Sequence, residues 1–290
     1  MRLSSYIDQL AGRFAAAGIH CGHGTDNVRD EAVYLVFGAL ALDFTQSIGG
    51  QDRELAQAEL ENLERLAAKR IERRIPTAYL LGRAWFAGYE FHCDNRALIP
   101  RSPIAELIGK GFAPLLKAAP GRVLDLCCGG GCIGIACALR FPACEVELCD
   151  ISGDALALAR KNILRHKLES RVKTTKSDLF DAVGGKYDLI LANPPYVPPA
   201  EIKRLPAEYS HEPALGLDGG KQGLEIPSRL LRRAGDFLKP GGWLILETGH
   251  NARALEARFP GVPLLWLEFE HGGEGVCALQ AGQQLVDLQG

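Results

Sequence analysis

The stretch that decides the fold is V-L-D-L-C-C-G-G-G-C-I-G, residues 123–134. Its apolar first part, residues 123–126, predicts a buried strand. Residues 127–131 predict a tight turn, and residues 132–139 predict a helix. A strand, a glycine-rich turn and a helix in this order are typical of α/β proteins that bind a nucleotide at the turn.

The chain that follows alternates in the same way between strand and helix patterns. Further strands are predicted near residues 145–149, 172–175, 189–192 and 243–248, with helices near 154–165, 224–238 and 252–259. A hairpin over residues 264–279, turning at Gly272-Gly273, adds one antiparallel strand. The predicted fold class is therefore α/β, with a doubly wound, mostly parallel sheet.

The N-terminal part of the chain has helical periodicity from Leu3 to about Leu81, which predicts a small helical domain. We divide the chain into this domain (residues 1–82), a hairpin and linker (83–118), and an α/β domain (119–290). On the last N-terminal helix, predicted over residues 53–74, four basic residues share one face, and we expect that face to be solvated and paired with nearby glutamates. A docking face for an acidic or RNA-containing partner is the alternative. The four are Lys69, Arg70, Arg73 and Arg74.

Composition excludes several classes of protein. With 47% hydrophobic residues, 23% charged residues and a net charge of −2, the chain is globular and has no basic arm for nucleic acid. Nine cysteines lack the spacing of a zinc site or a disulfide framework, so we expect free thiols, a reducing compartment and no metal. No apolar run approaches the ~20 residues that span a bilayer. The expected location is the cytoplasm.

A second motif is D-L-I-L-A-N-P-P-Y, residues 188–196, in which a buried strand stops abruptly at Asn193. The two prolines restrain the backbone, and neither Pro194 nor Pro195 offers an N–H. The motif therefore presents two acceptors, the Asn193 side-chain oxygen and the Pro194 carbonyl, which suit an incoming NH2 group. It predicts a socket for an amino or amide nitrogen.

Polar residues follow four strands, namely Asp125 with its loop, Asp150, Asp178 and Asn193. At one sheet edge they would line a pocket for a nucleoside-like ligand. We expect the Asp125 carboxylate to face positive charge, as on S-adenosylmethionine, because it would repel a pyrophosphate. The G-x-G-x-x-G pattern at residues 129–134 keeps a dinucleotide dehydrogenase open as a weaker alternative. Asp150 and Asp178 could instead cap helices, and Tyr196 could simply pack in the core.

The segment A-L-I-P-R-S-P, residues 97–103, is stiffened by two prolines. The prolines would hold Arg101 and Ser102 in fixed positions, as a binding segment requires. The sequence is equally consistent with a segment that only links the two domains.

These motifs give the chain a resemblance to the class I S-adenosylmethionine-dependent methyltransferases. Within them it resembles the N5-glutamine protein methyltransferases, through the D-L-C-C-G-G-G loop, N-P-P-Y and the helical N-terminal region. The branch that acts on peptide-chain release factors has I-P-R-P-D-T-E, whereas residues 99–106 are I-P-R-S-P-I-A-E. The chain is more similar to the branch acting on large-subunit ribosomal protein three, also in residues 208–217 and in W-L-E-F and G-G-E-G near the end. In the glycine-rich loop, Cys127-Cys128 stands where this family more commonly has Gly-Thr or Cys-Thr.

The resemblance implies a seven-stranded sheet, S-adenosylmethionine as the cofactor and a glutamine amide as the acceptor. Asn193, Pro194 and Tyr196 would be catalytic, and with Pro195 and Arg101 they would hold the substrate. The loop would wrap the methionine end of the cofactor, Asp150 would hold the ribose hydroxyls, and Asp178 with Leu179 would meet the adenine. The implied cofactor-binding set is Asp125, Cys127, Cys128, Gly129, Gly130, Gly131, Asp150, Asp178, Leu179 and Asn193.

The implied partner is a ribosomal protein, free or within an assembling large subunit, recognised by residues 1–82. Glutamine methylation of release factors and N6-adenine methylation remain alternatives, since an adenine amine offers the same two donors. A DNA enzyme would want a basic surface for base flipping, so no stable DNA binding is expected. A non-catalytic assembly factor using the same pocket is a further alternative. No general base is evident, and His211 is expected to anchor a loop.

Overall fold

A computed structural model of the chain describes residues 1–270 and 272–282. Its strands are β1 Arg83–Phe86, β2 Tyr89–His92, β3 Arg122–Leu126, β4 Glu145–Asp150, β5 Val172–Lys176, β6 Tyr187–Ala192, β7 Leu238–Glu247, β8 Leu265–Trp266 and β9 Val276–Gln280. Its α-helices are α1 Leu3–Ala16, α2 Val28–Leu40, α3 Ile48–Gln51, α4 Gln57–Arg73, α5 Thr77–Leu81, α6 Ile104–Gly109, α7 Cys132–Arg140, α8 Gly153–Arg165, α9 Pro199–Ile202, α10 Glu225–Arg233 and α11 Ala252–Arg258.

Seven of the described strands form one sheet in the order β5-β4-β3-β6-β7-β9-β8. Strands β3 to β7 pair in parallel, and β9 pairs antiparallel with both β7 and β8. The predicted sheet with one antiparallel strand is confirmed. The closing hairpin is confirmed as well, although its first strand is only two residues long. The β1–β2 hairpin forms a separate two-stranded ribbon.

The order in which the chain adds strands to the sheet reverses between β3 and β6. The chain proceeds outward from β3 to β4 and β5 on one side, and from β6 to β7 on the other. Leu126 pairs with both Cys149 and Ala192, and Ala192 pairs with Leu246. The residues that follow these pairs lie side by side at the carboxyl edge, where open α/β sheets bind ligands.

Two hydrophobic cores cover the two faces of the sheet. Alternate residues of β3 point to opposite faces, so Val123 belongs to the same core as Ile135 of α7, and Leu124 to the same core as Leu230 of α10. A third core lies within the N-terminal helices, where Leu10, Leu35 and Leu63 are fully buried among their neighbours.

Two sequence predictions for the N-terminal region need correction. The helix expected from Arg53 begins at Gln57, because Leu55 instead donates its N–H to the Met1 carbonyl at 3.0 Å. The basic face is not uniformly solvated, since the Arg70 side chain is 1% exposed and pairs with two glutamates. In residues 1–270 and 272–282, no helix is long and apolar enough to cross a membrane.

Candidate active site

A cavity of about 710 Å³ opens at the carboxyl edge of the sheet, above the boundary between β3 and β6. It brings together most of the residues that the sequence singled out. Those lining it are Arg101, Cys127, Cys128, Gly129, Gly130, Asp150, Asp178, Leu179, Asn193, Pro194, Pro195 and Tyr196. Asp125 and Gly131 lie behind its wall.

Asp125 is completely buried and does not face the cavity as the sequence suggested. Its Oδ2 accepts a hydrogen bond from the Gly134 N–H at 2.8 Å, which ties β3 to the first turn of α7. Burial raises the pKa of this carboxyl to about 7. Asp125 can therefore act on a ligand only through the loop that it holds from below.

The glycine-rich loop is shaped by positions that a side chain could not occupy. Gly131 has φ +79°, and a Cβ there would lie 2.8 Å from the Leu148 side chain. At Gly134, a Cβ would lie 2.3 Å from the same leucine. The glycines let α7 close against the sheet, and the N-terminus of this helix then faces the cavity, where it favours negative charge.

Asp150 ends β4 beside this loop. Its Oδ2 accepts from the Gly129 N–H at 2.9 Å, and its Oδ1 accepts from the Ser152 N–H at 2.8 Å. Burial raises the pKa of the Asp150 carboxyl. Ser152, not Asp150, caps α8 through the Ala155 N–H, so the helix-cap alternative is wrong here. Each carboxylate oxygen keeps a lone pair for a hydroxyl donor in the cavity.

Asp178 and Leu179 form the outer wall of the same half of the cavity. Asp178 pairs with Arg229 of α10 at 2.8 Å and begins no helix. Leu179 adopts a left-handed conformation with φ +51° and is 5% exposed. An apolar wall beside a carboxylate suits a purine ring that carries an amino group.

Chemically, this half of the cavity fits S-adenosylmethionine. The Asp150 carboxylate can receive a pair of ribose hydroxyls, and the N-terminus of α7 can receive the carboxylate of an amino-acid tail. Ile151, which is 49% exposed at the cavity wall, offers an apolar surface to a flat base.

Asn193 follows β6 and lines the cavity. Within the part of the chain that the structure describes, its side chain has no hydrogen-bond partner, although it is only partly exposed. An amide side chain left free in a cavity can bind a ligand without breaking an existing contact. The adjoining Pro194 carbonyl adds the second acceptor that the motif predicted.

Tyr196 is fixed by contacts on several sides. The Asn251 side chain donates to its carbonyl at 2.6 Å, and its own hydroxyl donates to Glu247 Oε1 at 3.3 Å. A Cβ at Gly223 would lie 2.0 Å from the Tyr196 carbonyl oxygen, and one at Gly249 would lie 2.7 Å from its ring. Tyr196 lines the cavity, so the interpretation as simple core packing is insufficient.

Glu247 is a cavity residue that the sequence analysis missed. It ends β7, is 4% exposed and accepts hydrogen bonds from the hydroxyls of Ser102 and Tyr196. The sequence did contain a signal for this residue, because Glu247 ends a strand with a carboxylate just as Asp150 does.

Arg101 lines the cavity, but its guanidinium is committed to Glu212 through two 2.6 Å hydrogen bonds. Glu212 Oε1 also accepts from the Ile99 N–H at 2.9 Å, and His23 Nε2 lies 3.4 Å from the other oxygen. Burial alone would raise the pKa of Glu212, but the nearby His23 and the hydrogen bonds from Arg101 lower it to about 2. These contacts join residues 97–103 to the N-terminal helices, so this segment is more than a plain linker.

His211 lies outside the cavity and contacts the Arg73 carbonyl at 2.7 Å, as expected of a loop anchor. All nine cysteines are free thiols. Burial raises the pKa of Cys127, Cys128 and Cys132. At neutral pH these three side chains are therefore uncharged and serve as apolar cavity wall. No cluster of metal-ligating side chains occurs in residues 1–270 and 272–282.

Comparisons with known proteins bear on the family and the fold of the chain. Residues 111–206 match the family model described as methyltransferase small domain. Ribosomal protein uL3 glutamine methyltransferases from Neisseria gonorrhoeae and Neisseria meningitidis are each 41% identical over 276 residues. These alignments cover 94% of this chain and 92% and 91% of the relatives. The catalytic domain of hMettl16, solved with an RNA hairpin, shares the fold with a TM-score of 0.52 at 17% identity, covering 85% of this chain and 91% of that one.

Proposed function

The chain belongs to the ribosomal protein uL3 glutamine methyltransferase family, and we propose that it methylates the side-chain amide nitrogen of a glutamine in uL3. The methyl donor is S-adenosylmethionine. The observation that carries this proposal is the free Asn193 side chain beside the Pro194 carbonyl, both of which line the cavity. uL3 is the large-subunit ribosomal protein three that the sequence resemblance implies.

A primary amide is a weak nucleophile, because its nitrogen lone pair is delocalised into the carbonyl. S-adenosylmethionine supplies a methyl group made electrophilic by the positively charged sulfur. The Asn193 oxygen and the Pro194 carbonyl would hold the two N–H bonds of the substrate, with its nitrogen at a near-attack distance of roughly 3 to 3.5 Å from that methyl. The same two acceptors stabilise the positive charge that develops on the nitrogen.

Tyr196 would pack its ring against the substrate amide. The face of an aromatic ring is negative and favours a positive charge, so the ring stabilises the methylated nitrogen before it loses its proton. That proton is strongly acidic, so none of the chain's residues needs to act as a dedicated base. Asp150, Asp178 and Leu179 would hold the cofactor in the other half of the cavity.

We also propose that residues 1–82 recognise the substrate protein. Supporting this, His23 from that region is buried against Glu212, which in turn holds Arg101 at the cavity. We propose the cytoplasm as the location, and free uL3 or an assembling large subunit as the form of the substrate.

The test is transfer of a labelled methyl group from S-adenosylmethionine to purified uL3, a peptide-chain release factor and duplex DNA in parallel. Peptide mass spectrometry would identify the labelled residue. We expect label on a glutamine of uL3 alone. Label on the release factor would overturn the substrate, label on adenine would overturn the acceptor chemistry, and no label would support a non-catalytic assembly factor. Adding large-subunit particles as a further acceptor would identify the form of the substrate.

A further inference from the structure

Glu247 lies next to Asn193 at the carboxyl edge of the sheet. Ala192 of β6 pairs with Leu246 of β7, so the residues that follow, Asn193 and Glu247, are neighbours across the two strands. The Glu247 backbone pairs with Val276 on its other side. This carboxyl group therefore belongs to a rigid part of the sheet and is directed at the substrate half of the cavity.

Two hydroxyl groups from separate segments point at Glu247. The Ser102 hydroxyl donates to Oε2 at 2.5 Å, and the Tyr196 hydroxyl donates to Oε1 at 3.3 Å. Both residues line the cavity, and 145 and 51 residues respectively separate them from Glu247 in sequence. The Arg101 guanidinium acts on it electrostatically, and the Cys132 thiol lies near enough to be affected by its charge.

The protonation state of Glu247 decides whether both contacts can exist. An ionised carboxylate only accepts hydrogen bonds, so it satisfies two hydroxyl donors at once. A protonated carboxyl group carries a donor of its own, so one hydroxyl must turn away or become an acceptor. The Tyr196 contact is the longer of the two and is the one we expect to loosen.

We propose that Glu247 is a positioning residue for methyl transfer, whose ionised carboxylate holds the Tyr196 hydroxyl and thereby fixes the ring against the substrate amide. This inference rests on the proposed function. Glu247 touches neither reacting group and acts through Tyr196.

Burial raises the pKa of Glu247 to about 7, although its hydrogen bonds to Ser102 and Tyr196 and the charge of Arg101 oppose the change. The group then titrates close to neutral pH. Acidification through this range should release Tyr196, so methyl transfer should slow as the pH falls below about 7.

The experiment compares the wild type with Glu247→Gln, Tyr196→Phe and the double variant, measuring kcat, KM for uL3 and the S-adenosylmethionine Kd from pH 5.5 to 8.5. Glutamine keeps the size of the side chain but replaces one acceptor oxygen with a donor. We expect the kcat of Glu247→Gln at pH 8 to be about tenfold below that of the wild type, as the loss of a hydrogen bond to a charged group predicts. We also expect the decrease in kcat below about pH 7 to be absent from this variant. Cofactor Kd should stay within about twofold. In the Tyr196→Phe background, the same substitution should cost less than about twofold more, because interacting residues are non-additive.

Glu147→Gln is the matched control. Glu147 ends no strand and lies outside the cavity, yet it is also 4% exposed and accepts from one threonine and one tyrosine hydroxyl. Its substitution should leave kcat and its pH dependence unchanged. The Glu247 proposal is overturned if Glu247→Gln keeps the wild-type kcat and the wild-type dependence of kcat on pH, or if the variant only binds the cofactor more weakly. It is also overturned if the decrease in kcat of the double variant equals the product of the decreases in the two single variants.

An activity-independent measurement separates this proposal from the proposed function. A carboxyl group whose pKa is raised by folding binds its proton more tightly in the folded state, so its contribution to stability is lost as the pH rises through about 7. Between about pH 4.5 and 7 the melting temperature of the wild type should therefore fall relative to that of Glu247→Gln. Equal pH dependence in the two proteins would overturn the proposal. Methyl transfer by the wild type to none of the acceptors would instead overturn the function.

Discussion

The two halves of the cavity are built in different ways. The proposed cofactor half consists of residues 127–130, Asp150, Asp178 and Leu179, and the contact that holds its loop, between Gly129 and Asp150, joins residues 21 apart. The proposed substrate half consists of residues 193–196 with Arg101, Ser102 and Glu247, and the hydrogen bonds of Arg101, Ser102 and Tyr196 to buried glutamates span 51 to 145 residues. The loop of the first half depends on local chain geometry, whereas the second half exists only when distant segments have packed. Substitutions in the two halves should therefore change different measured quantities.

The largest expected effect is in the substrate half. Asn193→Ala removes the side-chain acceptor for the substrate amide, and we expect kcat to fall about 10²- to 10³-fold, as with the loss of an oxyanion-hole donor. Cofactor binding should remain within about threefold, measured by calorimetry. Near-normal turnover by this variant would contradict the role of Asn193.

Glu212→Ala tests whether long-range contacts maintain the substrate half. It leaves Arg101 without its partner and the Ile99 N–H without an acceptor, and we expect a loss of about 3 kcal/mol in the free energy of unfolding. In the wild type, the pKa of about 2 means that this stability is present above pH ~4.3 and is lost as the pH falls through 2.

The control for this substitution is Asp181→Ala, which breaks the exposed Asp181–Arg233 pair and should cost under ~1 kcal/mol in denaturant unfolding. Equal costs for the two variants would show that the Arg101–Glu212 pair contributes no more than a surface ion pair.

Asp150→Ala tests the cofactor half. It removes the acceptor for the Gly129 N–H and the proposed acceptor for the ribose, so the S-adenosylmethionine Kd should rise about 10- to 100-fold. At saturating cofactor, kcat should stay within about threefold of the wild type. The exposed Asp154→Ala is the control. A large decrease in kcat at saturating cofactor would contradict the proposed difference between the two halves of the cavity.

Gly223→Ala should have the smallest effect, and Gly241→Ala is its matched control. Both glycines have positive φ, but only at Gly223 would a Cβ meet Tyr196, whereas the position at Gly241 is open. Gly241→Ala should cost about 1 kcal/mol of stability with unchanged kcat. Gly223→Ala should in addition lower kcat about tenfold by displacing Tyr196. Equal kcat values would show that the position of Tyr196 does not limit transfer.

The sheet was predictable from sequence because its strands are continuous apolar runs between turn residues. The starts of β4 and β5 agree with the predicted starts at Glu145 and Val172, and β3 begins at Arg122, one residue before the predicted Val123. β7 instead begins at Leu238, five residues before the predicted Trp243, because tertiary pairing extends it across Pro240-Gly241. In α4, the pairing of Arg53 to Leu55 with the N-terminus overrode the helical pattern.

The sequence by itself determined the order of strands and helices, the glycine-rich loop and the stiff N-P-P-Y acceptors, because each depends on a few adjacent residues and their backbone preferences. Only the tertiary structure decided that Asp125 lies behind the wall, that Arg101 is held by Glu212, and that Glu247 meets Ser102 and Tyr196. Burial and pairing at these positions depend on segments more than 50 residues apart in most cases. Their chemistry therefore follows from the packing of the whole fold, which no local pattern records.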